Sequence, residues 1–319
     1  MEPQNYEKNR AALVAQFKSK IQQAPPSRGE RIKLSWSNWG FGMESLEKTA
    51  QRLHTNGIHW IELHGNRYGA DLGYKSSHVM ETLKRYDINV AGVCGMFGAE
   101  NDLSSNSGVV RQQAIDYIRR QIDLCHDTGG SYLLVVPGAV GRPSAYDDSE
   151  FERSVETFQL VIDDFVKSGI RAAIEPIRSA EVSLVHTIKD AQRYLAAVGS
   201  SEVGHINGDV YHMQVEEVNI ADAIVDAGAS LINLHLADSN RCALGNGSLD
   251  VDAIIMALYT IGFTEGLRFA TPEPLGPGGA PYPAMFGKPD PNVLDTLVAQ
   301  TAAYWRKREE AVRSLVSSG

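Results

Sequence analysis

One pattern limits what this chain can fold into. Eight times, a short apolar or β-branched run is followed by a longer segment with helical periodicity. The runs fall at 32–36, 60–63, 89–94, 132–136, 171–174, 203–207, 231–236 and 268–270. The helix-patterned segments centre on 43–56, 73–86, 108–128, 149–168, 185–197, 215–227, 250–261 and 292–316. Several of these segments stop at glycine, as in Asn56-Gly57, Ser168-Gly169 and Ile261-Gly262, where a residue without Cβ takes the left-handed conformation that ends a helix. Strands that alternate with helices pair in parallel and carry the helices outside. Tyr132-Leu133-Leu134-Val135-Val136, apolar throughout, reads as such a strand, buried on both faces. An open doubly wound sheet would carry a Gly-rich phosphate turn after the first strand, and Trp36-Ser37-Asn38-Trp39-Gly40-Phe41-Gly42 lacks that spacing. Eight units point instead to an α/β fold of the (β/α)8 TIM barrel type, which takes about 250 residues.

That count leaves the first thirty residues over. Asn5–Gln23 carries Leu13, Val14, Phe17 and Ile21 at helical spacing, and Pro25-Pro26 ends the run. We expect an N-terminal helical extension and linker over 1–30 and the catalytic barrel over 31–319.

Charge and cysteine usage narrow the partners. Lys plus Arg total 30 against Asp plus Glu 39, a formal charge of −9, which opposes a general grip on nucleic acid or an anionic membrane. No apolar run approaches the ~18–20 residues of a membrane span, and the start lacks a signal peptide's basic-then-apolar order. Cys94, Cys125 and Cys242 are widely spaced, without a CxxC pair. They fit reduced thiols in a cytoplasmic protein, with Cys94 and Cys125 as buried thiols.

A barrel places its chemistry at the C-terminal ends of its strands. Strand five ends in Glu175-Pro176, strand six in Asp209-Val210-Tyr211-His212-Met213, strand seven in His235 with Arg241 following, and strand eight in Glu273. Glu175, Asp209, His235 and Glu273 therefore share one rim. They are either capping and salt-bridged groups or a hard, oxygen-rich site suited to Mn²⁺, with Mg²⁺ and Co²⁺ as alternatives. Three carboxylates around a dication leave an anionic site, better matched to an uncharged sugar than to a phosphate. His212 stands just past its strand, and Arg241 lies far enough along its loop to reach a bound oxygen. Glu62 and His64 share a face of strand two near the mouth and are either candidate substrate contacts or a buried hydrogen-bonded pair, and Trp39 is either a wall for a sugar or aromatic ring or part of the core.

These strand ends resemble the xylose-isomerase-like barrels and, within them, the ketose 3-epimerases. The shared elements are Glu175-Pro176, Asp209-x-x-His212-Met213, His235 with Arg241 six residues on, and Glu273. The resemblance implies metal ligands Glu175, Asp209, His235 and Glu273, substrate contacts from His212 and Arg241, and Glu175 and Glu273 as the acid/base pair. Trp36-Ser37-Asn38-Trp39-Gly40, Glu62-Leu63-His64-Gly65-Asn66 and the Pro/Gly-rich stretch 274–289 look like the metal-bearing large subunit of C-glycoside deglycosidases. That likeness implies proton abstraction from a 3-oxo-glucoside followed by β-elimination of the aglycone, in an oligomer with a small second subunit. In this reading the stretch is a stiffened loop offering Tyr282, Met285 and Phe286 to an aromatic substrate. The expected activity is therefore a metal-dependent lyase of this kind. The alternatives are a ketose 3-epimerase or sugar isomerase, and a non-catalytic metal-containing sugar-binding barrel. A repair endonuclease on the same barrel would want several zinc ions, more rim histidines and a basic surface.

Overall fold

The computed structural model describes residues 4–23, 30–65, 74–276 and 290–317, without the side chains of 316 and 317. Its eight strands are β1 Lys33–Leu34, β2 Trp60–His64, β3 Asn89–Cys94, β4 Tyr132–Val135, β5 Arg171–Ile174, β6 His205–Asp209, β7 Leu231–Leu236 and β8 Phe269–Pro272. They form one sheet in the order β1-β8-β7-β6-β5-β4-β3-β2, parallel at every ladder. Between β1 and β2 a single bridge, Ser37 with Glu62, closes the cylinder, and Glu62 N donates to Trp36 O at 2.8 Å.

The helices are α1 Asn5–Gln23, α2 Leu46–Thr55, α3 Ser76–Arg85, α4 Gly108–Asp127, α5 Glu150–Gln159, α6 Ile162–Ser168, α7 Ile188–Val198, α8 Val210–Glu216, α9 Ile220–Ala227, α10 Val251–Thr260 and α11 Pro291–Ser317. The eightfold alternation survives with shifts that local chemistry explains. The segment expected as one helix over 149–168 breaks at Leu160-Val161 into α5 and α6. The segment expected over 215–227 begins earlier and splits. Asp209, last in β6, caps α8 by accepting from Tyr211 N at 2.8 Å, and Asn219 caps α9. The helix expected from 185 starts at Ile188, because Thr187 and Asp190 form a reciprocal capping box. Strand six runs two residues later than the apolar pattern suggests, with Val203 in a short 3₁₀ turn.

The N-terminal helix shares the main core. Leu13, Phe17 and Ile21 are buried in the same apolar cluster as the barrel helices, and Phe17 meets Tyr259 of α10 edge-on with ring centroids 6.3 Å apart. Such helical stability comes from burying one face rather than from propensity. Within the cylinder a smaller cluster, Ala91, Tyr132, Ala173, Ile232 and Phe269 with Trp60 against it, fills the part away from the rim.

Candidate metal centre

Successive strand residues alternate between the two faces of the sheet, so every second residue enters the barrel. Four series follow from this: Arg171-Ala173-Glu175, His205-Asn207-Asp209, Asn233-His235 and Phe269-Thr271-Glu273. Their last members meet at the rim, where all four are buried, none more than 6% exposed. Glu175, Asp209 and His235 offer ligand atoms within 4.8 Å of one another. His235 Nδ1 lies 3.3 Å from Glu175 Oε1 and 3.3 Å from Glu273 Oε2, which brings the fourth residue to the same point.

Polar groups from the layer below orient these side chains. His235 Nε2 faces both oxygens of Glu62, at 2.9 and 3.1 Å. Asn207 Nδ2 donates to Glu175 Oε1 at 2.8 Å, and Asn233 Nδ2 donates to Asn207 Oδ1 at 2.8 Å. Thr271 Oγ1 donates to Asn233 Oδ1 at 2.6 Å. Trp39 Nε1 donates to Glu273 Oε2. With Nε2–H directed at Glu62, the lone pair of His235 Nδ1 converges with two carboxylate oxygens. Like-charged acceptors at that separation need a cation between them, and three oxygen ligands with one imidazole fit a hard divalent ion.

The electrostatics agree. Burial, reinforced by the charges of Asp209 and Glu175, pushes the Glu273 carboxyl up to about 8, and burial raises that of Glu175. Burial works against ionisation of Asp209 too, but His212, His235 and Arg241 outweigh it and hold its carboxyl low. Burial likewise disfavours a charged His235, yet Glu273 and Glu62 keep its imidazolium well above the ordinary value. Without a dication these groups hold protons in its place.

Above the cluster lies a cavity of about 340 Å³. Trp39, Glu175, Asp209, His212, His235, Arg241 and Glu273 line its polar end, while Cys94, Met96, Phe97, Val136, Val140 and Ile177 give it an apolar wall. His212 is buried, with Nε2 3.3 Å from Asp209 Oδ2. Its Nδ1 is buried and has no hydrogen-bond partner among the described residues. Arg241 takes the left-handed conformation, φ 60°. Its N–H donates to Asp238 O, and its carbonyl accepts from Leu275 N and Gly276 N. Its guanidinium carbon stands 4.0 Å from the Tyr211 ring centroid. Burial and nearby carboxylates, with Glu62 first among them, raise the Cys94 thiol well above its usual range, so it lines the cavity as a neutral group.

Two expected contacts sit elsewhere. Glu62, fully buried, lies beneath His235 and does not line the cavity, because its position on β2 is one layer below the ligands. His64 is buried with its N–H bonded to Asn38 Oδ1, and it also lies off the cavity lining. Trp39 is both wall and donor to Glu273. Residues 277–289, including Tyr282, Met285 and Phe286, and Asn66 lie outside the described residues. Sequence reasoning passed over Asn207, Asn233, Thr271 and Tyr132. For Asn207, Asn233 and Thr271 the available signal was a polar residue two positions before a ligand; Tyr132, on a strand without a ligand, gave none.

Comparisons with known proteins follow the same lines. The family described as xylose isomerase-like TIM barrel matches residues 50–284. L-ribulose 3-epimerase of Mesorhizobium japonicum is 24% identical over 227 residues, 70% of this chain and 74% of that protein. 3-Dehydro-D-guloside 4-epimerase of Escherichia coli is 24% identical over 238 residues, 71% of this chain and 87% of its own length. A solved L-ribulose 3-epimerase structure superposes with a TM-score of 0.78 at 20% identity, covering 90% of this chain and 98% of that one. Among the described residues no helix is long and apolar enough to cross a membrane.

Proposed function

The chain belongs to the xylose isomerase-like TIM barrel family, and from that premise we propose that it is a divalent-metal-dependent epimerase of an uncharged keto-sugar. This is the alternative weighed in the sequence; the curated relatives act as sugar epimerases and favour it over C-glycoside cleavage. The observation that carries the reading is the convergence of Glu175, Asp209, His235 and Glu273 at the floor of a cavity. Two of these, Glu175 and Glu273, are each held through one oxygen, by Asn207 and Trp39 respectively.

Epimerisation next to a carbonyl removes a weakly acidic C–H proton and returns it to the opposite face. In this reading Glu175, Asp209, His235 and Glu273 hold the cation, Mn²⁺ with Mg²⁺ or Co²⁺ as alternatives. A bound dication supplies Lewis-acid stabilisation of the charge that develops as the proton leaves. Glu175 Oε1 and Glu273 Oε2 are engaged by the surrounding donors, which leaves the other oxygen of each carboxylate for the C–H. One, ionised, takes the proton from one face, and the other, protonated beforehand, delivers its own proton to the opposite face, so the pair ends with its protonation states exchanged. His212 and Arg241 orient the sugar oxygens. The lining carries Glu100, Glu175, Glu181, Asp209 and Glu273 against Arg241, a balance that supports a neutral sugar over a sugar phosphate.

The same proton abstraction in a 3-oxo-glucoside would expel the aglycone. The apolar wall from Met96 to Ile177 favours keeping that cleavage as a second reading, together with its oligomeric assembly and small partner subunit. Incubating a free ketose and a 3-oxo-glucoside separately with manganese-loaded enzyme in D₂O separates the two. Epimer carrying solvent deuterium at the inverted carbon supports the first, released aglycone supports the second, and neither product from either substrate refutes both.

A further inference from the structure

Glu62 has no surface at the cavity, yet it is the residue most fully committed to the metal cluster. It reaches from β2 across the barrel interior to β7, and its carboxylate accepts from three directions. His235 Nε2 lies at 2.9 and 3.1 Å, the Tyr132 hydroxyl donates at 2.6 Å, and Asn233 Nδ2 donates at 3.2 Å. Every partner must be a donor. The phenol and the amide can supply only hydrogen to an ionised carboxylate, and Asn233 has its oxygen occupied by Thr271. The His235 proton is therefore fixed on Nε2 and its lone pair on Nδ1, the atom that faces Glu175 and Glu273. The same chain of bonds continues from Asn233 through Asn207 to Glu175, so one buried network sets both an imidazole and a carboxylate of the cluster.

We infer that Glu62, braced by Tyr132, is a positioning residue for the metal centre: it selects the tautomer of His235 and strengthens Nδ1 as a donor without touching substrate. The inference rests on the metal-centre reading above. A carboxylate behind a ligating histidine raises ligand basicity and fixes ring orientation, and its loss commonly weakens metal binding about 10–100-fold.

The test is a calorimetric titration of metal-stripped wild type, Glu62→Gln and Tyr132→Phe with Mn²⁺. It is accompanied by the visible spectrum of each protein saturated with Co²⁺ and by the melting temperature of each stripped protein. The expected result is Mn²⁺ binding weakened about 10–100-fold in Glu62→Gln and less, in the same direction, in Tyr132→Phe, with the Co²⁺ bands displaced in Glu62→Gln. At saturating metal kcat falls while KM for substrate stays near wild type, because Glu62 is off the cavity lining. Folded Glu62→Gln that binds Mn²⁺ like wild type, with unshifted bands, overturns the inference, since a purely structural role lowers the melting temperature alone. Should Glu62→Gln not fold, Tyr132→Phe decides: wild-type affinity there overturns the inference and weakened affinity supports it. Wild type that binds no divalent ion refutes the metal-centre reading instead.

Discussion

The two ends of the barrel interior are built by the same alternation and solve opposite electrostatic problems. At the rim the inward residues are Glu175, Asp209, His235 and Glu273, with Glu62 just below. At the far end they are Trp60, Phe269, Arg171 and His205, with Arg268 beside them. The cations of the far end are closed by backbone oxygens. Arg171 donates to Leu267 O at 2.5 Å and Ser131 O at 3.2 Å, and Arg268 donates to Ile261 O at 3.3 Å. Trp60 packs on Phe269 with ring centroids 5.0 Å apart. The far end meets its arginine cations with backbone oxygens, although His205 Nδ1 is buried with no hydrogen-bond partner among the described residues; the rim gathers acceptors that only a proton or a metal ion can reconcile. A strand can thus carry stability at its first residue and chemistry at its last.

The sharpest way to break this contrast is to remove the cation. Chelation is expected to abolish turnover, and added Mn²⁺ to restore it; full activity in a sample shown by elemental analysis to be metal-free would overturn the division. Next in size, Glu273→Gln is expected to lower kcat about 10²–10⁴-fold with circular dichroism and melting close to wild type. Near-normal turnover would remove Glu273 from the acid/base pair. At the other end, Phe269→Ala is expected to cost about 3–5 kcal/mol of stability in denaturant titrations while the surviving folded enzyme keeps its kcat. A selective loss of kcat there would show the ends to be coupled.

The smallest effects have opposite signs. Burial, with Arg171 and Arg268 nearby, depresses the His205 imidazole to about 4 from 6.5. The unfolded chain then binds that proton more readily, and stability is lost as pH falls from about 6.5 towards 4. Glu273, raised to about 8 in the metal-free protein, binds its proton more tightly when folded, so its contribution is lost as pH rises from about 4.5 through 8. The pH dependence of melting in stripped protein should therefore change between about pH 4 and 6.5 in His205→Asn and, with the opposite sign, between about pH 4.5 and 8 in Glu273→Gln. Metal loading should flatten the latter.

The barrel was legible because its signal is repeated: eight apolar runs, each followed by a helical period, leave few alternatives. The four rim residues were legible for a related reason, each standing at or next to the C-terminal end of its strand. Glu62 was expected nearer the mouth than it lies because alternation assigns a face but not a depth. Depth depends on the stagger of β2 against its neighbours, including the register shift between Ile61 and Glu62, which no single strand encodes. The supporting amides Asn207 and Asn233 escaped notice because one polar residue in an apolar run resembles a tolerated interruption until its partners come from other strands. Asp209 illustrates the overlap of readings: it caps α8 through one oxygen, its other oxygen faces His212 Nε2, and the same carboxylate belongs to the cluster.

Among the described residues a single bridge, Ser37 with Glu62, joins the β1–β2 seam, which makes it one of the thin parts of the wall. The residue whose side chain braces His235 also supplies the backbone amide that fastens this seam to Trp36. Breathing of the cylinder and hold on the ion are thereby joined in one residue. Occupancy at the rim should slow hydrogen exchange at the Glu62 amide more than across the β4–β5 pair, which is registered at four consecutive residues.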